Sequence, residues 1–176
     1  MDSSWPASLA FAWRPENDGQ ALHTDANDSG GATNMGITHI TWAAAVEHGL
    51  VRDVDLIEAT RDELSLILYT NFWKVAGCDR LAVGVDMTVF NLAMVGGPGQ
   101  AAQILQQIVG AAVDGQVGPI TLAAAAKWSS DSLIRKFTAS EETFYASIPS
   151  ACFFLKGWDR RAEDCKVAAL ALLASA

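Results

Sequence analysis

Charge is scarce in this chain, and positive charge scarcer still. Of 176 residues only 18% are charged, and 20 Asp and Glu against 12 Lys and Arg leave a net charge of −8. Without clustered cations a nucleic-acid partner is excluded, because neutralising phosphates needs Lys and Arg in number. The three cysteines, Cys78, Cys152 and Cys165, have no metal-ligand spacing. Their odd count predicts reduced thiols in a protein made in the cytosol, buried and free, with a Cys152–Cys165 pair as the alternative. His23, His39 and His48 form no H-E-x-x-H, and the chain has neither G-x-S-x-G nor a phosphate loop. Met1-Asp2-Ser3-Ser4 carries no basic region and no apolar run, so no export signal is expected there. The apolar tail Val167 to Ala176 is too short to span a bilayer. There is also no internal repeat and no flexible linker.

Apolar residues, by contrast, make up 51% of the chain, enough to exclude disorder and to bury a core in one domain or two closely packed lobes. Their spacing is helical. Trp5, Leu9, Ala12 and Trp13 share one face of a first helix, capped by Ser3 or Ser4 and started by Pro6. Turn formers from Ala21 to Thr38 predict a small irregular β-ribbon. A second helix is expected from Ile40 to His48, stopped by Gly49. Thr60-Arg61-Asp62-Glu63 is a capping box opening a helix whose apolar face is Leu64, Ile67, Leu68 and Phe72. Ala82 to Met94 reads as the buried central helix, broken at Gly96-Gly97-Pro98-Gly99. Helices follow over Gln100 to Val109 and Pro119 to Lys127, then from a Ser130 or Asp131 cap to Ile148, with a last one after Trp158. The fold class expected is mainly α with a small ribbon near the N-terminus.

The stretch from Glu16 to Thr38 carries the chemistry. It sets one carboxylic acid at the end of an apolar helix, then Asp25 and Asp28, a Gly30-Gly31 turn, and Thr33. Such a cluster of Asp, Asn and Gly is commonly a solvated loop. It also has the parts for cleaving a glycosidic bond: a proton donor, and polar groups opposite it to hold water or stabilise developing charge. The helix C-terminus disfavours a second negative charge at Glu16, and Trp13 three residues back can shield it from water. Asp28 is equally a good Asx-turn residue before Ser29-Gly30-Gly31. Thr38 suits a helix cap and is held only loosely as a substrate contact, while Asn34 is a candidate partner for an N-acetyl group. Tyr69, Phe72 and Trp73 read as core, or as a platform for a sugar ring that the polar tip of Tyr69 could reach.

Asp28-Ser29-Gly30-Gly31-Ala32-Thr33-Asn34-Met35-Gly36-Ile37-Thr38 resembles the D-P-G-G-A-T-N-x-G-I-T signature of glycoside hydrolase family 108, the phage- and prophage-type N-acetylmuramidases. Glu16-Asn17-Asp18-Gly19 stands where that family reads E-G-G-Y, with a gap to the Gly pair about three residues longer. The likeness continues through Tyr69-Thr70-Asn71-Phe72-Trp73 and the Gln100 to Gln106 helix. It includes Asp114-Gly115-Gln116-Val117-Gly118-Pro119-Ile120-Thr121, an element shared with peptidoglycan-binding domains. It closes with Phe144-Tyr145 and Phe154-Leu155-Lys156-Gly157-Trp158-Asp159-Arg160-Arg161. Val95 replaces an Asn usual in the family's V-N-x-G.

The resemblance implies a lysozyme-like fold, with a catalytic lobe over 1–95 and a helical peptidoglycan-binding-like lobe over 96–176 packed as one unit. It implies hydrolysis of the MurNAc-β-1,4-GlcNAc bond, with Glu16 as general acid and Asp28 with Thr33 positioning water. Whether Asp25 or Asp28 faces the acid, and whether configuration is retained or inverted, stay open. Substrate contacts fall on Asn34, Thr38 and Tyr69. No metal or organic cofactor is implied. The expected partner is the peptidoglycan glycan strand, met by a monomer that inserts in no membrane and reaches the wall from the bacterial cytoplasm through a holin-type delivery partner. A lytic transglycosylase and a non-catalytic wall-binding module are the alternatives.

Overall fold

The computed structural model describes residues 4–17, 19, 22–23, 31–149 and 151–175. These form eight α-helices and one two-stranded antiparallel sheet. They divide into two compact units, Leu9–Asn71, and Phe72–Ala176 together with Met1–Ser8.

The smaller unit begins within α1, Trp5–Ala12. The buried residues here are Ser4, just before α1, and Ser8, Phe11 and Ala12; of the expected face Trp5, Leu9, Ala12 and Trp13, only Ala12 is fully buried. Small hydroxyl side chains let a helix pack closely, so the polar positions lie inside and Leu9 is left half-buried. Strands β1 (Thr33–Asn34) and β2 (Ile37–Thr38) pair Thr33 with Thr38 and Asn34 with Ile37. The bridge His23–Thr33 adds a third segment to this ribbon. Helix α2, His39–Glu47, is capped by Thr38, whose Oγ1 accepts from the Thr41 N–H at 3.2 Å. The Thr60–Glu63 capping box opens α3, Arg61–Ile67, as its spacing predicted. The same helix does not run on regularly to Phe72. Leu68–Trp73 winds as a π-helix, a local widening that sequence periodicity does not signal.

In the larger unit α4, Val85–Gly96, is the buried centre, and α5, α7 and α8 pack around it. Its start lies three residues later than Ala82 because Gly84 stands before it with φ 82°. A Cβ there would approach the carbonyl oxygen of Ala169 in α8 to 2.7 Å. Beside α4, Trp5, Trp73 and Phe90 form a mutually edge-on triad with ring centroids 5.4–5.6 Å apart. Each such pair adds roughly 0.5–1.5 kcal/mol beyond the area it buries. Gly97 alone, φ 85°, separates α4 from α5, Pro98–Val109. Helix α6 is Pro119–Ala125, with Pro at its first position as expected.

Helix α7, Ser130–Ser147, is capped by Ser129, one residue before the expected Ser130 or Asp131. Its Oγ accepts from the Ser132 N–H, and Ser130 is already helical. Helix α8, Ala151–Ser175, starts seven residues before Trp158. Trp158 therefore lies inside it, packed 5.5 Å from the rings of both Tyr145 and Phe154. None of the three cysteines forms a disulfide among the described residues; Cys78 and Cys165 are buried as expected, whereas Cys152 is exposed. No helix among the described residues is long and apolar enough to cross a membrane.

Candidate active site

Glu16 sits in the turn that closes α1. After Ala12 the Trp13 N–H still reaches the Leu9 carbonyl, and the N–H groups of Asn17 and Gly19 then converge on the Arg14 carbonyl at 2.9 and 3.0 Å. Asn17 Nδ2 donates to the Phe11 carbonyl at 2.9 Å, binding the turn back to the helix. Pro15 and Glu16 ride its exposed outer edge. Glu16 is thus open to solvent, not shielded by Trp13 as the sequence suggested. Gly19 has a packing reason, since a Cβ there would collide with the Trp13 carbonyl. This constraint explains the Gly that ends Glu16-Asn17-Asp18-Gly19.

Trp13 instead faces the ribbon. Its Nε1 donates to the Met35 carbonyl at 3.2 Å, and the Arg61 guanidinium lies 5.6 Å over its ring. Met35 and Gly36 form the two-residue loop joining β1 to β2, both with positive φ, 47° and 84°. That is the geometry of a type I′ hairpin loop. For Met35 the left-handed backbone costs about 1–2 kcal/mol, offset by burying its side chain to 6% exposure. Through Trp13 and Met35 the Glu16 turn and the ribbon become neighbours. Neither the indole bond nor the left-handed Met35 was foreseen; a Gly after Met35 was the only signal for the loop.

Thr33 lies on β1, half-buried, held in the ribbon by two 2.9 Å backbone bonds with His23. Its Oγ1 donates to the Gly31 carbonyl at 3.3 Å. Asn34 is only 9% exposed, and its Nδ2 donates one N–H to the Leu56 carbonyl at 3.0 Å, turning the side chain into the unit. Thr38 is the cap of α2, and Tyr69 is half-buried on the π-helical stretch. Asp25 and Asp28 lie outside the described residues. Among the described residues no three His, Cys, Asp or Glu side chains gather as metal ligands.

Glu63, in the same unit, is a structural clamp. Its oxygens accept from Arg52 Nε and Nη2, both at 2.8 Å, and from the Thr60 N–H at 2.9 Å. The Arg52 hydrogen bonds hold its carboxyl far below the usual range, which disqualifies it as a proton donor.

The larger unit buries two acids that sequence reasoning passed over. Glu141 is fully buried, with Oε1 accepting from Tyr145 Oη at 2.5 Å and Asn91 Nδ2 at 2.8 Å. Arg161 Nε in turn donates to Asn91 Oδ1 at 2.8 Å. Burial pushes Glu141 up to about 7, opposed by the Tyr145 and Asn91 bonds and the charge of Arg161. Asp86, 3% exposed, is likewise raised to about 6 by burial, against the Met87 N–H bond at 2.7 Å. Both are closed off from a polymeric substrate, so their raised values belong to the core. A different polar hub organises the Asp114 to Thr121 element. Gln106, 1% exposed, donates from Nε2 to Asp114 Oδ1 and the Gln116 carbonyl and accepts from the Gly115 N–H at 2.9 Å.

Residues 16–97 match the family described as Glycosyl hydrolase 108, and residues 100–163 match the Predicted Peptidoglycan domain. Among solved structures, Brucella abortus SagA is 29% identical with a TM-score of 0.81, covering 96% of this chain and 92% of its own. No curated protein matches. The mainly helical fold with its small ribbon is lysozyme-like. The glycoside hydrolase family 108 match opens on Glu16 and the peptidoglycan-domain match follows it without overlap, so the chain, which is similar to that family over its first half, is an enzyme acting on peptidoglycan.

Proposed function

We propose that the chain cleaves the MurNAc-β-1,4-GlcNAc bond as an N-acetylmuramidase of the endolysin type. Glu16 protonates the leaving oxygen, and Asp28 with Thr33 holds the attacking water on the opposite side. The observation that carries this reading is the Trp13–Met35 hydrogen bond, which sets the exposed Glu16 turn beside the ribbon bearing Thr33. An exposed acid next to a polar ribbon is accessible to a glycan strand, unlike the buried Glu141 and Asp86 or the clamped Glu63.

Thr38 and Tyr69 contact the bound strand in this reading. The amide oxygen of Asn34 is the atom that would accept from an N-acetyl N–H, while Leu56 takes one of its two amide N–H donors. The catalytic lobe spans 1–95 and the helical lobe 96–176. The protein acts as a monomer, without a cofactor, reaching the wall from the bacterial cytoplasm through a separate holin-type partner. The likeness to phage-type muramidases supports that route. Incubation with purified sacculi, followed by reducing-end assay and product mass spectrometry, tests the reaction. Muropeptides with reducing MurNAc ends are expected. Products ending in 1,6-anhydro-MurNAc would overturn hydrolysis in favour of a transglycosylase, and reducing GlcNAc ends would overturn the bond assignment.

A further inference from the structure

The larger unit holds a cavity of about 370 Å³ that the glycosidic chemistry does not use. Its floor is apolar: Leu81, Val85 and Leu133 are each no more than 6% exposed. Its rim is different. Trp128 is 38% exposed, and the Arg80 side chain is 46% exposed. Arg80 Nη2 donates to the Val117 carbonyl at 2.6 Å, which fixes the guanidinium at the mouth while most of its five donors stay available. Its contact with Asp79 is long, 3.8 Å, and does not neutralise it closely.

Volume and lining narrow the ligand. About 370 Å³ is at the small end for ligand pockets, so it takes a compact group or the end of a larger molecule. A sugar ring sunk here would bury hydroxyls against Leu and Val without partners, which is costly. Methyl-bearing residues suit the floor, and a carboxylate suits a fixed guanidinium, which can bind it through two parallel hydrogen bonds. In a chain of net charge −8, a cation held at the mouth of an apolar pocket is a selective feature.

We propose that this cavity is a binding site for the carboxylate-terminated end of a short alanine-containing peptide, the chemistry of a peptidoglycan stem peptide. The alanine methyl group enters against Leu81, Val85 and Leu133, the terminal carboxylate pairs with Arg80, and Trp128 covers the peptide backbone. The choice of ligand rests on the peptidoglycan hydrolase reading; the pocket and its chemistry do not. The lining residues lie in the segment from Arg80 to Leu133.

The test is calorimetric titration of the full chain with a synthetic stem tetrapeptide ending in D-alanine, alongside the same peptide with an amidated C-terminus. Saturable binding of the free acid is expected, weakened about tenfold or more by amidation. Ala126→Phe at the exposed rim fills the mouth and should remove binding, and Arg80→Gln should erase the preference for the free acid. No saturable binding to the unaltered chain, or equal affinity for acid and amide, overturns the proposal. Those two measurements need no variant to fold. Reducing-end release by the unaltered chain from purified sacculi is measured in parallel. Hydrolysis without peptide binding refutes this site alone, whereas peptide binding without hydrolysis refutes the catalytic reading alone.

Discussion

Trp13 Nε1 donates to the Met35 carbonyl, and this one bond links the turn carrying the candidate acid to the ribbon carrying its candidate partner. Trp13→Phe keeps an aromatic ring of smaller size and removes the donor, leaving a part-buried carbonyl without its partner. The expected cost is about 1 kcal/mol of stability. Turnover on sacculi should fall as well, because the Glu16 turn loses its tether to the ribbon. Denaturant unfolding and a reducing-end assay on the same preparation check both. Unchanged turnover would show that the link does not position the acid.

Glu16→Gln separates chemistry from structure. Glu16 is exposed at the edge of its turn, so the near-isosteric amide should leave the unfolding midpoint unchanged. An amide cannot act as a proton donor to the leaving oxygen, and the expected loss of rate is on the order of 100-fold or more. Retention of half the activity would remove Glu16 from the mechanism.

Asp28→Asn should impair turnover more than Asp25→Asn, because Asp28 holds the signature position ahead of Gly30-Gly31. Steady-state rates of the two variants decide between them. The reverse order would assign the water-positioning role to Asp25.

Stability should fall as pH rises through the range where the buried acids ionise. Glu141 goes from 4.5 to about 7 on folding and Asp86 from 3.8 to about 6, both through burial. The folded chain therefore holds these protons more tightly than the unfolded chain. Their contribution is complete below the unfolded values and is lost as pH climbs through the folded ones. Glu63, shifted the opposite way by Arg52, contributes above its unfolded value of 4.5 and loses that contribution only in acid below it. Glu141→Gln keeps a neutral acceptor for Tyr145 and removes the titration. Its stability should depend less steeply on pH between about 5 and about 8, by on the order of 3 kcal/mol across the range. Urea unfolding at the two ends measures it, and parallel slopes for variant and parent would refute the assignment.

What the sequence alone determined was set by local chemistry. The Thr60–Glu63 capping box, the Pro119 helix start, the turn-rich ribbon before α2 and the apolar run of α4 each use groups close together in the chain. Their hydrogen bonds and periodicity are therefore legible before folding. Glu16 was also legible as a candidate, because it ends an apolar helix a short way ahead of the Asp28 to Thr38 signature, even though the gap is longer than the family's. Tertiary structure decided what surrounds it. Trp13 turns to Met35 across 22 residues, Asn34 to Leu56 across 22, and Arg161 reaches Asn91 across 70. Ser8 is buried where Leu9 was expected, since the partner surface, not the helix's own polarity, selects which face is covered. The Arg80–Trp128 cavity is likewise invisible in the chain, because its walls come from segments whose spacing carries no common pattern and which only packing brings to one place.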